Sequence, residues 1–268
     1  MSDGRRALWV AGLLIAVART ASSAPPSAAD IMVRNEEANR VQDITSEATL
    51  TTGGDGASKV KTFTWWRKLG ADGLHFRTLT RFHTPAEVRG EGILFEEHPD
   101  NENDVFLYLP MFKKIRRVEG QSQSSPFMGT VFNYSDIAQH HASDYRHALQ
   151  RTEACPADPQ VQCYVIESTP GSDTVKERTG YSRSVQWIRA DNYMVARGEF
   201  YDDQGRLWKR LSASSIALVD PAAHKWWAQE VRIDDLLTSR FTVLQFAQVR
   251  TSTGIADATF SQQNLARE

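Results

Sequence analysis

The chain has 268 residues, 41% hydrophobic and 24% charged, the balance of a globular protein able to bury a sizeable core. Its formal net charge is −2, so no global basic field recruits nucleic acid or an anionic membrane. All-β domains reach this length as single units, so length alone does not require two.

Residues 1–29 read as a secretory signal peptide: Arg5 and Arg6 precede the apolar run "ALWVAGLLIAVA", and small residues follow in "TASSAPPSAAD". That run is shorter than the roughly 20 apolar residues that span a bilayer, which argues for cleavage over a retained anchor. Ser27 and Ala29 occupy the small-residue positions, so cleavage after Ala29 is expected, leaving one domain over 30–268. The leader holds Arg5, Arg6, Arg19 and Asp3, so the remainder carries 28 basic and 32 acidic residues. No Cys follows the run to carry a lipid.

Next, "DIMVRNEEANRV" predicts one short helix with Asp30 as N-cap. From residue 43 onward, β-type runs alternate with turn clusters such as "TTGGDGAS", "LGADG", "EHPDNEND" and "DDQG". They number about ten or more, which at this length implies a large curved antiparallel sheet or partial barrel. In one run Leu74, Phe76, Thr78, Thr80 and Phe82 share a face, with Arg77, Leu79, Arg81 and His83 on the other, as in a half-solvated strand. "DVFLYLP" is apolar on both faces, Val105, Leu107 and Leu109 opposing Phe106 and Tyr108, so both faces need cover. A helix or a bound apolar ligand would supply it.

Lys113, Lys114, Arg116 and Arg117 form a dense cationic cluster that strand alternation splits between two faces. It is a poor nucleic-acid stripe; its readings are a rim for lipid headgroups, with Arg bonding phosphate bidentately, or a charged edge strand guarded against aggregation. "PFMGTVFNYSDIAQHH" interrupts the meander, with a helical turn expected near Ser135 or Asp136. His140, His141, Asp144 and His147 lack metal-motif spacing and read as a polar surface, so no metal is expected. Cys155 and Cys163, in "CPADPQVQC", read as a disulfide across a Pro-rich turn in an oxidising compartment.

No G-x-S-x-G elbow or phosphate-binding Gly loop occurs. The paired carboxylates Glu36-Glu37, Glu96-Glu97, Asp202-Asp203 and Asp234-Asp235 read as solvated charges. Aromatics are the more unusual signal. Adjacent tryptophans on a strand point to opposite faces, so one of each pair Trp65-Trp66 and Trp226-Trp227 must meet a ligand, a covering element or a membrane interface.

The stretch "DVFLYLPMFKKIRRVEGQSQSSPFMGTVFNYSDI", preceded by "RGEGILFEE" and followed by "GYSRSVQWIRADNYMVARGEFYDDQGRLWKRL", resembles the bacterial outer-membrane lipoprotein-sorting protein family, relatives of the periplasmic carrier LolA. The chain departs from it at Pro126, where Ser is more usual, and at Val131 and Ser135, where an acid is. The resemblance implies a mainly β protein with a few helices: an open, half-closed antiparallel β-barrel whose apolar concave face is capped by helices. It implies a monomeric periplasmic carrier, not an enzyme and without a cofactor. The cargo would be a lipid or an acylated protein; an inner-membrane transporter of the resistance-nodulation-division (RND) type and an outer-membrane acceptor are the implied partners. On that reading Phe76, Phe82, Leu107, Leu109, Ile115 and Trp187 line the cavity. Phe127, Met128, Gly129, Phe132 and Tyr134 form the lid, and Lys113, Lys114, Arg116 and Arg117 the rim. The alternative is a non-carrier docking module for a transporter or envelope assembly complex.

Overall fold

Ser27, and not Asp30, starts the first helix. In the computed structural model, which describes residues 26–54, 56–98, 103–118 and 123–267, α1 spans Ala28–Ala38. The Ser27 hydroxyl accepts the Asp30 N–H at 3.1 Å while the Asp30 carboxylate accepts the Ser27 N–H at 3.3 Å. This capping box places Asp30 three residues inside the helix, where its charge suits the helix N-terminus. The leader read over residues 1–29 lies, as far as Pro25, outside the described residues.

The alternating runs then form thirteen strands of one antiparallel sheet. The first arm comprises β1 (Asp43–Gly53), β2 (Lys59–Leu69), β3 (Phe76–Thr84), β4 (Gly92–Glu96), β5 (Asp104–Leu109) and β6 (Lys114–Val118). After the segment 119–144 comes the second arm: β7 (Tyr145–Cys155), β8 (Asp158–Pro170), β9 (Arg183–Arg189), β10 (Val195–Tyr201), β11 (Leu207–Asp220), β12 (Lys225–Asp235) and β13 (Arg240–Thr251). Each arm is a meander, and β1 pairs with β13, so the spatial order runs from β6 through β1 and β13 to β7. Consecutive β6 and β7 therefore lie at opposite edges, and the sheet does not close. Twelve strand spacings of about 4.8 Å would hold those edges about 58 Å apart in a flat sheet. The chain between them must run across one face, and the curl of the sheet makes that face concave.

Both faces are covered. On the inner face Leu50, Phe63, Trp65, Phe82, Ile93, Phe95, Val105, Trp227 and Ile233 pack with Phe127, Val131 and Phe132 of the crossing segment. Farther along it, Ile31 and Met32 of α1 seat on Ile166 and Ile188. On the outer face Leu79, Leu94 and Tyr108 are buried under Phe260 and Leu265, which belong to a 3-10 turn (Asp257–Phe260) and α3 (Gln262–Leu265). The β3 strand is thus not half-solvated, because the C-terminal segment covers the face that carries Leu79. A further short helix, α2 (Asp173–Thr179), carries no signal noticed in the sequence; Ser172 caps it and Gly180, at φ +75°, ends it. The disulfide Cys155–Cys163 is present, joining the β7–β8 hairpin at the sheet edge.

Candidate ligand cavity

Strand parity fixes the inner face. Leu50, Ala48 and Ser46 of β1 face Lys61, Phe63 and Trp65 of β2, and Leu244 and Phe246 of β13 join them across the other edge of β1. Trp65, Trp227 and Phe246 gather into one cluster with ring centroids 5.3 to 5.7 Å apart. Their partners Trp66 and Trp226 take the other side of their strands, as alternation requires, and Trp66 packs on the outer core.

The crossing segment is built from tight turns. Phe127–Gly129 is a 3-10 turn with Met128 at φ +49°, and the Phe127 N–H donates to the Phe132 carbonyl at 2.6 Å. The predicted helical turn is a single 3-10 turn, Tyr134–Asp136, capped by Asn133 and not by Ser135 or Asp136. Two cations hold the tip: Lys61 Nζ donates to the Met128 carbonyl at 3.0 Å and Arg240 Nη2 to the Gly129 carbonyl at 2.6 Å.

A buried polar knot fastens the middle of this segment to β11. Lys209, 1% exposed, donates to Asn133 Oδ1 at 2.8 Å and to Tyr181 Oη at 3.0 Å, with Asp136 Oδ2 at 3.7 Å. Tyr181 Oη in turn donates to the Asp136 carboxylate at 3.0 Å. Burial lowers the Lys209 pKa, with Asp136 opposing the shift. Burial, with the Asp136 charge beside it, pushes the Tyr181 pKa well up. The far end of the segment docks on α1, where Glu36 accepts from His141 Nδ1 and the Ala142 N–H, both at 2.9 Å. Burial alone would raise the Glu36 pKa, but those bonds and the Arg40 charge bring it from 4.5 down to about 2. The Glu36 bond raises the His141 pKa against the effect of burial. His140 and His147 are engaged separately, with the Ser135 carbonyl and with Ser168.

Two chambers remain between the sheet and this segment. The apolar one, about 260 Å³, is lined by Leu50, Phe63, Trp65, Trp227, Leu244 and Phe246 beneath Phe127 and Phe132. The polar one, about 300 Å³, is lined by residues that include Asn35, Gln139, His140, His141, Tyr145, Ser168 and Gln186. Asn39, Arg67, Phe132, Asp136, Ile137 and Leu211 line both. Arg67 is 7% exposed, lies 3.8 Å from the centroid of the Phe76 ring, and donates to Gln139 Oε1 at 3.1 Å. Burial lowers its pKa, and Glu97 at 3.9 Å opposes the shift. A third hollow opens at the strand ends among Lys59, Lys61, Glu87, Arg240, Met128 and Gly129.

The residues expected to line the cavity are placed otherwise. Phe76 and Phe82 are on the inner face of β3 but fully packed, Phe76 beneath Arg67 and Phe82 against Phe63. Leu107 packs at the margin of the inner core and Leu109 shares its face, nearer the edge. Ile115 and Trp187 require correction. Ile115 pairs with Tyr108 and joins the outer core. Trp187 sits opposite Val165 on the outer side of β9, packed with the disulfide, its Nε1 donating to Glu153 at 2.6 Å. None of these residues lines either chamber. Of the expected lid residues, Phe127 and Phe132 roof the apolar chamber, Met128 and Gly129 border the outer hollow, and Tyr134 packs against Phe127 and Phe95. Lys113, Lys114, Arg116 and Arg117 are exposed around the β5–β6 turn, Arg117 paired with Asp104. The walls of the apolar chamber come from the central strands β1, β2, β12 and β13, and the tryptophan pairs are the sequence signal that points to them. Lys209, Tyr181 and Arg67 carry no such signal.

A family model described as an uncharacterized protein matches residues 75–267. Among solved structures, a DUF1329 family protein from Desulfovibrio piger is 30% identical with a TM-score of 0.81, covering 89% of this chain and 97% of that one. An outer membrane lipoprotein-sorting protein domain from Vibrio parahaemolyticus is 24% identical with a TM-score of 0.81, covering 90% and 98%. A LolA superfamily protein from Nitrosomonas europaea is 20% identical with a TM-score of 0.68, covering 90% and 100%. The latter two share the fold. No curated protein matches the chain.

Proposed function

Since the chain belongs to the DUF1329 family and has a LolA-like fold, we propose that it is a periplasmic carrier shielding acyl chains of a lipid or lipoprotein in transit towards the outer membrane. The observation that carries this reading is the apolar chamber between Trp65, Trp227 and Phe246 on the sheet and Phe127 and Phe132 on the crossing segment. Each methylene buried there contributes roughly 0.8 kcal/mol, so one chain of about ten carbons gains on the order of 8 kcal/mol without covalent chemistry. At about 260 Å³ the chamber is near the small end of ligand pockets, which start at about 300 Å³. It suits one chain, and a second requires the crossing segment to lift.

The protein acts as a monomer and binds without catalysis. The exposed Met111 and Phe112, beside Lys113, Lys114 and Arg116, form the rim that meets an anionic headgroup or a partner. That partner is an inner-membrane transporter of the RND type on loading and an outer-membrane acceptor on delivery. The disulfide and the leader-like N-terminal sequence support the periplasmic location.

The test is native mass spectrometry of the protein purified from its own envelope without detergent, followed by extraction of what is bound. A defined lipid or acylated protein at near-unit occupancy is expected. An unliganded mass that persists after incubation with envelope lipids would overturn the carrier reading.

A further inference from the structure

One end of the sheet is furnished differently from the rest. Because each arm is an antiparallel meander, the β1–β2, β3–β4, β5–β6 and β12–β13 turns all lie at the same end. Of the nine large apolar side chains exposed among the described residues, five stand there: Val60, Met111, Phe112, Leu236 and Leu237. The opposite end has Leu74 and Leu218. Met111 is 86% exposed and Phe112 58%, on a turn closed by the Lys113 N–H donating to the Pro110 carbonyl at 3.0 Å. Leu236 and Leu237 open the β12–β13 turn, which Asp235 fixes by accepting the Leu237 and Thr238 N–H groups at 2.9 and 3.0 Å. The two tips are six strand spacings apart, about 29 Å along the sheet. Between them opens the hollow lined by Lys59, Lys61 and Arg240, about 930 Å³ in volume, and Leu50 lines both it and the apolar chamber.

We propose that this end docks on the surface of an anionic bilayer, the two apolar tips dipping into the leaflet on either side of the basic hollow. The docking needs no cargo and so stands apart from the carrier reading; where both hold, the hollow faces the leaflet from which cargo is drawn. Charge complementarity selects an anionic surface. Lys113, Lys114 and Arg116 are exposed behind the first tip, and the three cations of the hollow meet only Glu87 on its wall and the Glu91 charge acting on Lys61 among the described residues. Cations gathered this way are drawn to anionic lipid within a Debye length of the surface. The layout selects a bilayer over a protein. A protein interface buries an apolar centre within a polar rim, whereas here the apolar side chains stand outside and the charges in the middle. A leaflet takes separate tips one at a time, with apolar side chains below the headgroups and cations among them. Both turns are held by hydrogen bonds before contact, so little freedom is lost on insertion.

The experiment is flotation of the purified protein with two sets of unilamellar vesicles at low salt, one of phosphatidylcholine alone and one with about a third phosphatidylglycerol. Binding to the mixed vesicles is expected to be at least tenfold tighter and to weaken as salt is raised. The pair Met111→Ser and Phe112→Ser should weaken it about tenfold, as should the pair Leu236→Ser and Leu237→Ser. All four side chains are exposed, so thermal melts of these variants should match the parent. The pair Lys113→Gln and Lys114→Gln should weaken binding and flatten its salt dependence. No binding to the mixed vesicles, equal binding to both sets, or binding unchanged by both serine pairs would overturn the proposal. If lipid copurifies from the envelope yet vesicles are not bound, the docking fails and the carrier reading stands, with handover left to a protein. If vesicles are bound as expected and no lipid copurifies, the docking stands and the carrier reading fails.

Discussion

Lys209 shows how one buried charge can organise a whole connection. Its ammonium serves Asn133, Tyr181 and, at longer range, Asp136, so Lys209→Met would leave a carboxylate and an amide oxygen facing an apolar neighbour. Removing one partner of a buried pair costs about 3–5 kcal/mol, and urea denaturation of this variant is expected to show a loss of that size. The double variant with Asp136→Asn should recover part of it. Glu36 and His141 make a second, pH-dependent anchor. Glu36 titrates at about 2 in the fold against 4.5 ordinarily. Its contribution is present above pH 4.5 and lost as pH falls towards 2, about 3 kcal/mol at 1.36 per unit. His141, with its pKa raised, contributes below its ordinary value of 6.5 and loses that contribution as pH rises through the raised one. Thermal melts from pH 2 to 9 should show greatest stability between these limits, and Glu36→Gln should flatten both flanks. These anchors were not legible in the sequence, because each joins residues far apart in the chain by single hydrogen bonds that leave no periodic trace.

At the scale of elements, the crossing segment and the C-terminal segment cover the two faces of the first arm. The tip of the first is held by two cation-to-carbonyl bonds, each worth about 1.5–3 kcal/mol. Replacing Lys61 and Arg240 by Ala should raise amide exchange over residues 126–131 by tenfold or more while the amides of β1 and β13 keep their protection. The second cover buries Phe260 and Leu265 over β3 to β5, at about 1.5–3 kcal/mol for each side chain. Truncation before Asp257 should therefore cost about 3–6 kcal/mol and raise binding of a hydrophobic dye; unchanged dye binding would show that this face needs no cover. For α1, cleavage after Ala29 would remove Ser27 and its capping box, a loss of about 1 kcal/mol. N-terminal sequencing of the protein purified from its own envelope checks this: a start at Asp30 should go with a helix less stable by that amount, a start at or before Ser27 with the box intact. The strand runs were legible because alternation is local, and the both-sided apolarity of "DVFLYLP" announced the two covers. Which face each strand turns inward was not, since alternation gives relative parity alone. Leu107 and Ile115 read as one wall in the sequence, yet they sit on opposite faces of a register-paired hairpin.

Across the whole molecule, the strand ladder that joins the two arms is the one between β1 and β13. Each arm is a run of hairpins whose contacts are local, whereas the β1–β13 ladder joins Ile44 to Thr251. Such distant pairing pays its loop-closure entropy late. The first arm is thus synthesised with one side of β1 unpaired, an open edge exposed to association until the last strand arrives. Trp65 belongs to the first arm and Trp227 to the second, with ring centroids 5.3 Å apart. The apolar chamber is therefore the last thing the polypeptide acquires, and a refolding trace followed through the tryptophans should end in a slow phase that coincides with the meeting of Trp65 and Trp227.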